Sequence, residues 1–503
     1  MEAVSSSQSK AGRGVLFGLA PVLSVALALT SGLVLRLWML KKFFEVRGDP
    51  LVYGTLAKNL LLYGRYALIG TDGQMHPTLI RLPGYPLFLA VCFRLFGMEN
   101  YASAAWVQIP LELVGCVLLA DFARRIAPAA HRTGTAHCTL WLAALCPFTA
   151  VYSVEPLTEA LTLFMLALGL WSAARFSERP GWGPALWFTF AVSFAALLRP
   201  DGALVAIALA PAVVMGLSRK QHAAGTQAPS GEFPAPQRRP SNLKVARMAV
   251  VCVLLALTPF GAWGWRNWQV FHVIEPLAPR YANDPGQTTY PGWQRWVKSW
   301  CLDFVSTYDV YWPVPGSPLN VSKLPGRAFD SPAQFAETAA VAEDYNDRDD
   351  ATDILPDVDA RFGKLASERI AAHPLRYYVG LPLGRLADMA LRPRVENLNI
   401  DLDWWVYARH KAETRFSWAY AGLNLIYLLL GIAGLWLQPR FWRAMAAYML
   451  LRCALLMTIE APETRYTIEF FPMLFALGGV ALYRLMNWVW LSVFKMKASA
   501  GRG

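Results

Sequence analysis

Several charged and phenolic residues of this chain sit directly beside strongly apolar runs. Asp49, Tyr53, His76, Arg81 and Tyr85 fall in one polar, glycine-rich stretch, RGDPLVYGTLAKNLLLYGRYALIGTDGQMHPTLIRLPGYP. Glu155 and Glu159 lie four apart, Arg199 and Asp201 flank Pro200, Arg266 follows Trp265, and Glu460, Glu463, Arg465, Tyr466 and Glu469 are close together near the end. A carboxylate such as Asp49 can take the proton of an attacking hydroxyl. An arginine can hold a phosphate through two parallel N–H bonds and offset charge growing on it. Charged groups this near hydrocarbon are costly unless paired or facing a watery cavity, so a set of them on one membrane face marks a candidate site.

Each residue also has a structural role to weigh. Asp49 opens a helical pattern of Leu51, Leu56, Leu60 and Leu61 that stops at Gly64, and it can serve there as a cap. The pattern predicts an amphipathic helix on the membrane surface. Glu155 and Glu159 can pair with Arg199 or Arg266 to seal a helix bundle, and Arg199 can snorkel to the interface. His76 fits a solvated loop and has no HxxxH or HxxE partner. The acidic run 343–359 lacks the central Gly and closing Glu of a calcium loop and is expected to be solvated. No cofactor is established this way, and a divalent metal is compatible with the chemistry without being indicated.

Composition sets the frame that positions these groups. Hydrophobic residues make up 55% of the 503 and charged ones 16%, the balance of a polytopic membrane protein. The net charge of +12 is spread in short basic clusters between apolar runs, where the positive-inside rule places it, and so does not signal nucleic acid. The seven cysteines have no metal-ligand spacing and are expected as buried free thiols.

Alternation of apolar runs and basic clusters predicts an all-α polytopic membrane protein of about ten transmembrane helices, each needing about 20 residues. The expected spans are 15–40, 101–122, 138–152, 157–176, 182–198, 203–217, 245–263, 418–437, 445–459 and 468–486. The run 86–96 is too short and is expected as a re-entrant or surface helix. The loop carrying Arg219, Lys220, Arg238, Arg239, Lys244 and Arg247 has the composition of a disordered cytoplasmic linker. Parity then gives three parts: an N-terminal transmembrane module, 1–266, with the first outer loop at 41–100; a mostly helical extracytoplasmic domain, 267–415; and C-terminal helices with a cytoplasmic tail, 416–503. Helix is expected over 360–372, and Trp404 and Trp405 are expected as interfacial anchors. Tryptophans elsewhere in the outer domain are expected mainly to pack its core.

The stretch GDPLVYGTLAKNLLLYGRY followed by RLPGYPLFLAVCFRLFG resembles the first outer loop of the GT-C glycosyltransferases. Within them it is similar to the branch of the protein O-mannosyltransferases and the lipid A aminoarabinose transferase. VEPLTEAL, WGWRN and APETRYTIEFFPMLFALGG extend the likeness along the chain. The resemblance implies a GT-C fold and an inverting transfer of a sugar from a polyprenyl-phosphate donor to a periplasmic or cell-envelope glycan, lipid or protein. It implies a bacterial inner-membrane enzyme working at the periplasmic face among membrane lipids. Asp49 matches the acidic residue proposed as general base, Arg81 the basic residue that contacts the lipid phosphate, and Tyr53 and Tyr85 aromatic positions of the same cavity. Arg465 and Arg266 are further candidates for the phosphate, and His76, Glu155, Glu159, Arg199, Glu463 and Tyr466 are candidates to line the cavity. Two departures stand out: Pro50 follows Asp49 where that branch tends to carry Asp-Glu, and Leu82 replaces the usual Pro. The competing function is a transporter, flippase or binder of lipid-linked sugars, against which stand the lack of an internal repeat and the one-sided placement of the polar residues.

Overall fold

The computed structural model describes residues 3–70, 72–211, 242–347 and 353–500. The chain is an all-α, polytopic integral membrane protein. Among the described residues six helices are long and apolar enough to cross a bilayer: Pro21–Phe43, Tyr101–Ile126, Thr158–Glu178, Leu243–Phe271, Lys411–Trp436 and Thr464–Ser492. The other expected spans are shorter. The stretch 138–152 is not one helix but two, Arg132–Ala144 and Pro147–Tyr152. Pro147 has no N–H to give and drives Cys146 before it to an extended conformation, ψ 112°. Trp182–Leu198 has 17 residues and Trp442–Leu456 has 15, and the helix Pro200–Pro211 is followed by residues outside those described. Most of the basic linker that follows Pro211 also lies outside the described residues.

The chain divides into two compact units, one of residues 1–278, 426–448 and 469–503, the other of 279–425 and 449–468. In the first, α1 (Ala3–Phe43) leads through the loop elements to α4 (Tyr101–Ile126), α5 (Arg132–Ala144), α6 (Pro147–Tyr152), α7 (Thr158–Glu178) and α8 (Trp182–Leu198). Next come α9 (Pro200–Pro211), α10 (Asn242–Phe271) and, at the end of the chain, α18 (Phe471–Ala500). Helix α7 is buried nearly all round, with Leu161, Leu166, Leu170 and Ala173 inside, as expected of an apolar helix at the centre of a bundle. Helix α10 is the opposite case, with Val250, Val253, Leu254 and Leu257 exposed on a face fit for lipid.

The loop between α1 and α4 holds α2 (Asp49–Tyr63), a hairpin of β1 (Ala67–Ile69) and β2 (Met75–Pro77), and α3 (Gly84–Phe96). Helix α2 stops where expected: Gly64 takes φ 64°, open to glycine at little cost, and its N–H returns to the Leu60 carbonyl. The strands pair antiparallel, Leu68 opposite His76.

The second unit contains α11 (Pro291–Lys298), the turn α12 (Phe304–Ser306), α13 (Pro332–Asn346), α14 (Pro356–Ala372) and α15 (Leu381–Leu391). It also holds residues 411–425 of α16 (Lys411–Trp436) and 449–456 of α17 (Trp442–Leu456). Trp293, Trp296 and Trp300 are its core, packed with Phe362, Leu365, Tyr345 and Val341. Trp293, Trp296, Trp300 and Trp404 therefore pack inward, while Trp312, Trp405 and Trp418 stay exposed. The acidic run is not a single solvated loop: Glu343 to Asn346 end α13 and Pro356 to Asp359 begin α14. Helices claim both ends because each places apolar residues, Tyr345 and Val358, in the core.

Candidate functional site

Asp49 is the first residue of α2, followed by Pro50, whose fixed φ and missing N–H suit a first turn. The residue before it, Gly48, occupies the cap position, and no side chain caps the helix. The Asp49 carboxylate instead meets Arg81 across the loop: Arg81 Nη2 donates to Asp49 Oδ1 at 2.8 Å, with the side chains 27% and 23% exposed. Arg81 Nη1 also donates to the Ile80 carbonyl at 3.2 Å. A carboxylate and a guanidinium that the sequence separates by more than thirty positions thus face each other at the start of a helix, partly open to solvent.

What holds Arg81 in place is a set of buried polar bonds. The Tyr66 hydroxyl donates to the carbonyls of Arg81 and Leu82 at 3.0 and 3.2 Å, and burial pushes its pKa well up, so it stays a donor. Asn59 Nδ2 ties α2 to the Ala67 carbonyl at 2.8 Å. Arg266 reaches in from α10: Nη1 donates to the Thr78 carbonyl and Nη2 to the Tyr66 carbonyl, both at 2.8 Å. Its guanidinium also lies over the rings of Tyr66, Trp263 and Phe271. Arg266 is thus engaged with the backbone of the loop that presents Arg81. His76, on β2, is exposed and paired with Asp72 at 2.9 Å; the Gln74 N–H and then His76 hold that carboxyl below its usual range.

Tyr53 and Tyr85 meet edge to face, ring centroids 5.2 Å apart. The Tyr85 hydroxyl donates to Gln108 Oε1 at 2.7 Å, and Gln108 Nε2 donates to the backbone carbonyls of Ser153 and Glu155. Glu159 pairs with Arg199 and not, among its described partners, with Arg266: Arg199 Nη1 lies 3.2 Å from Glu159 Oε1. The same guanidinium meets Asp201 at 3.2 Å and Glu469 at 3.3 Å, while Tyr448 donates to Glu469 Oε2. Three carboxylates around one arginine at the junction of α7, α8 and α18 form a buried ionic knot, with Glu159 and Glu469 almost fully enclosed.

In the second unit Glu463 is the hub of its own group. Arg465 Nε and the Tyr466 hydroxyl both bond its carboxylate, and the Tyr466 carbonyl accepts from Arg452. Among the described residues a group with metal-ligand character is Asp401, His410 and Glu413. His410 Nδ1 lies 3.2 Å from Glu413 and 3.6 Å from Asp401, and its Nε2 lies 3.1 Å from Asp403. The HxxE spacing of His410 and Glu413 is the signal the sequence carries for this group.

A buried ion pair inside the spanning helices was also missed. Arg36 of α1 bonds Glu112 of α4 and donates to the Gly32 and Ala144 carbonyls at 2.8 and 2.7 Å. The Ala144 carbonyl belongs to the end of α5, where the helix breaks, so the arginine satisfies an acceptor that the break leaves open. Arginine and glutamate one turn or more inside apolar runs were the available signal.

No protein-family profile and no curated protein sequence matches the chain. Among solved structures it is similar to the Archaeoglobus fulgidus oligosaccharyltransferase in complex with Zn and sulfate, at 10% identity and TM-score 0.46, over 95% of this chain and 51% of that one. It is also similar to the same organism's AglB in complex with an inhibitory peptide and a dolichol-phosphate, at 11% identity and TM-score 0.45, over 95% and 52%. ArnT from Cupriavidus metallidurans bound to undecaprenyl phosphate matches at 16% identity and TM-score 0.34, over 92% and 77%. The chain spans about half the length of the archaeal chains it matches.

Proposed function

We propose that the chain is an inverting glycosyltransferase that moves a sugar from a polyprenyl-phosphate donor to a periplasmic or cell-envelope acceptor, a glycan, lipid or protein. The observation that carries this is the contact of Asp49 with Arg81 at 2.8 Å on a partly open loop. A donor phosphate competes with Asp49 for the Arg81 guanidinium, and when it wins the carboxylate turns to the acceptor. Asp49 then takes the acceptor hydroxyl's proton as the oxygen attacks the anomeric carbon. The bond from that carbon to the phosphate oxygen breaks, the configuration inverts, and the electron pair leaves on polyprenyl phosphate, whose growing charge Arg81 stabilises. Tyr53 and Tyr85 line the cavity, and Arg266 holds the loop that aims Arg81. The bundle serves as a bacterial inner-membrane scaffold with residues 267–415 as the periplasmic domain.

The test is donor consumption. Purified protein in lipid is given a panel of polyprenyl-phosphate sugars with an envelope extract, and free polyprenyl phosphate is followed by mass spectrometry. Acceptor-dependent release from one donor is expected. Tight donor binding with no release from any of them means that the chain carries or binds lipid-linked sugars instead.

A further inference from the structure

The second unit, taken by itself, contains cations that the chemistry above does not use. Arg385 on α15 is wholly buried, and its Nη1 donates to the carbonyls of Lys298 and Cys301, each at 3.0 Å. Its Nε and Nη2, also buried, have no hydrogen-bond partner among the described residues. Those two nitrogens share one edge of the guanidinium, the edge whose parallel N–H bonds match two oxygens of an oxyanion. A buried charge with such donors unmet is costly, and an oxyanion on that edge removes the cost.

The neighbours fix the sign of the missing partner. Arg280 Nη2 lies 2.9 Å from Glu460 Oε1, and Lys298 Nζ lies 3.7 Å from the same oxygen while also donating to the Thr458 carbonyl. Arg280 and Lys298 therefore share one carboxylate, and Arg385 feels the same carboxylate through space without pairing with it, so positive charge outweighs negative among these four groups. Burial lowers the Lys298 pKa; Glu460 opposes the fall, and Arg385 and Arg280 add to it. A bound carboxylate would balance one unit of that excess, whereas a phosphate monoester brings about 1.5 to 2.

We propose that Lys298 and the Nε/Nη2 edge of Arg385 form a binding site for a phosphate group, borne by a lipid headgroup or by a water-soluble phosphate monoester. The edge is closed to solvent, so the phosphate enters as a neighbouring side chain moves aside. Arg280, 65% exposed, shares Glu460 with Lys298 and gives up little burial when it moves. The site is independent of Asp49.

The test uses the full chain in neutral-lipid nanodiscs and reads acylation of the Lys298 amine by mass spectrometry. The rate is measured with inorganic phosphate, with glycerol phosphate and with phosphatidic acid in the disc, against sodium chloride at equal ionic strength. Phosphate is expected to slow Lys298 acylation about tenfold, and Arg385→Lys, which keeps the charge but loses the fork, to remove the protection. Asp49→Asn should retain it. Protection by the soluble phosphates places the group on a soluble ligand, and protection by phosphatidic acid alone places it on a lipid; either upholds the site. Because Arg385→Lys can fail to fold, Lys298→Gln is measured in parallel, and the phosphate-dependent rise in unfolding temperature should vanish in it. Lys298 reactivity and unfolding temperature that no phosphate changes in the wild type, or protection that persists in Arg385→Lys, overturns the proposal.

Discussion

Arg81 Nη2 and Asp49 Oδ1 are 2.8 Å apart, so the expected general base and the expected phosphate ligand neutralise each other. The pair is too exposed to contribute much to stability, about 1 kcal/mol or less. Under the proposed function its meaning is competitive: a donor phosphate that takes Arg81 turns the Asp49 carboxylate toward the acceptor. Arg81→Lys keeps the charge and loses the fork, so transfer should fall about 10²- to 10³-fold with little change in unfolding temperature. Steady-state rates beside a thermal melt decide it; a parallel loss of both would make Arg81 structural.

Arg266 should behave differently. Replacing it by Gln removes charge-assisted bonds to the Thr78 and Tyr66 carbonyls and the stacking over Trp263. The expected loss is about 2–4 kcal/mol in the holding of the first loop. Limited proteolysis should show faster cleavage near the hairpin. An unchanged cleavage rate together with weakened donor binding would return Arg266 to the phosphate.

Gly84 is held for room. A Cβ there would lie 2.6 Å from the Leu197 carbonyl oxygen, backbone that cannot swing away, whereas one at Gly183 would meet nothing. Gly84→Ala should destabilise by about 1–3 kcal/mol, and Gly183→Ala should be neutral or raise stability by up to about 1 kcal/mol. Detergent melts of the two variants would expose an error if their order were reversed.

Asp359 accepts the backbone N–H groups of Gly292 and Trp293 at 3.0 and 2.8 Å and so caps α11 from outside the helix. Asp359→Ala should cost about 1–2 kcal/mol. Trp293, Trp296 and Trp300 report on the same unit, and their fluorescence should shift red at lower denaturant in the variant.

Asp388 gives the second unit a pH dependence. Burial raises its carboxyl to about 6, with Arg392 opposing and the Phe304 N–H bonded to it. The folded pKa lies above the ordinary 3.8, so the folded state binds this proton more tightly. The stabilisation is complete below about pH 4 and is lost as pH rises through about 6. Asp388→Asn keeps an acceptor for Phe304 without the charge, and should raise stability at pH 7 by on the order of 2–3 kcal/mol while changing little at pH 4. Unfolding at the two pH values that shows the same difference at both would contradict this.

Much of the bundle was readable because hydropathy reports on lipid contact directly. The start of α2 at Asp49 and its stop at Gly64 were readable because both are local chemistry. Partner choice was not. Glu159 had Arg199 and Arg266 as alternatives in sequence, and the fold gives it Arg199 because α7, α8 and α18 converge there. The hairpin 67–77 escaped notice because its three-residue strands are too short to show alternation. Arg36 and Glu112 were absorbed into apolar runs, since window hydropathy averages away a single buried charge. The break after Ala144 had a visible cause in Pro147, which the apolar count outweighed.

The most direct test of the central claim separates binding from turnover in Asp49→Asn. Donor affinity and single-turnover release of polyprenyl phosphate are measured in wild type and variant in the same lipid. Asp49→Asn frees Arg81 from its carboxylate, so donor should bind as tightly as in wild type or more so, while release falls about 10²- to 10⁴-fold. Equal release from both proteins would contradict the account and leave Asp49 a structural role at the start of α2, paired with Arg81.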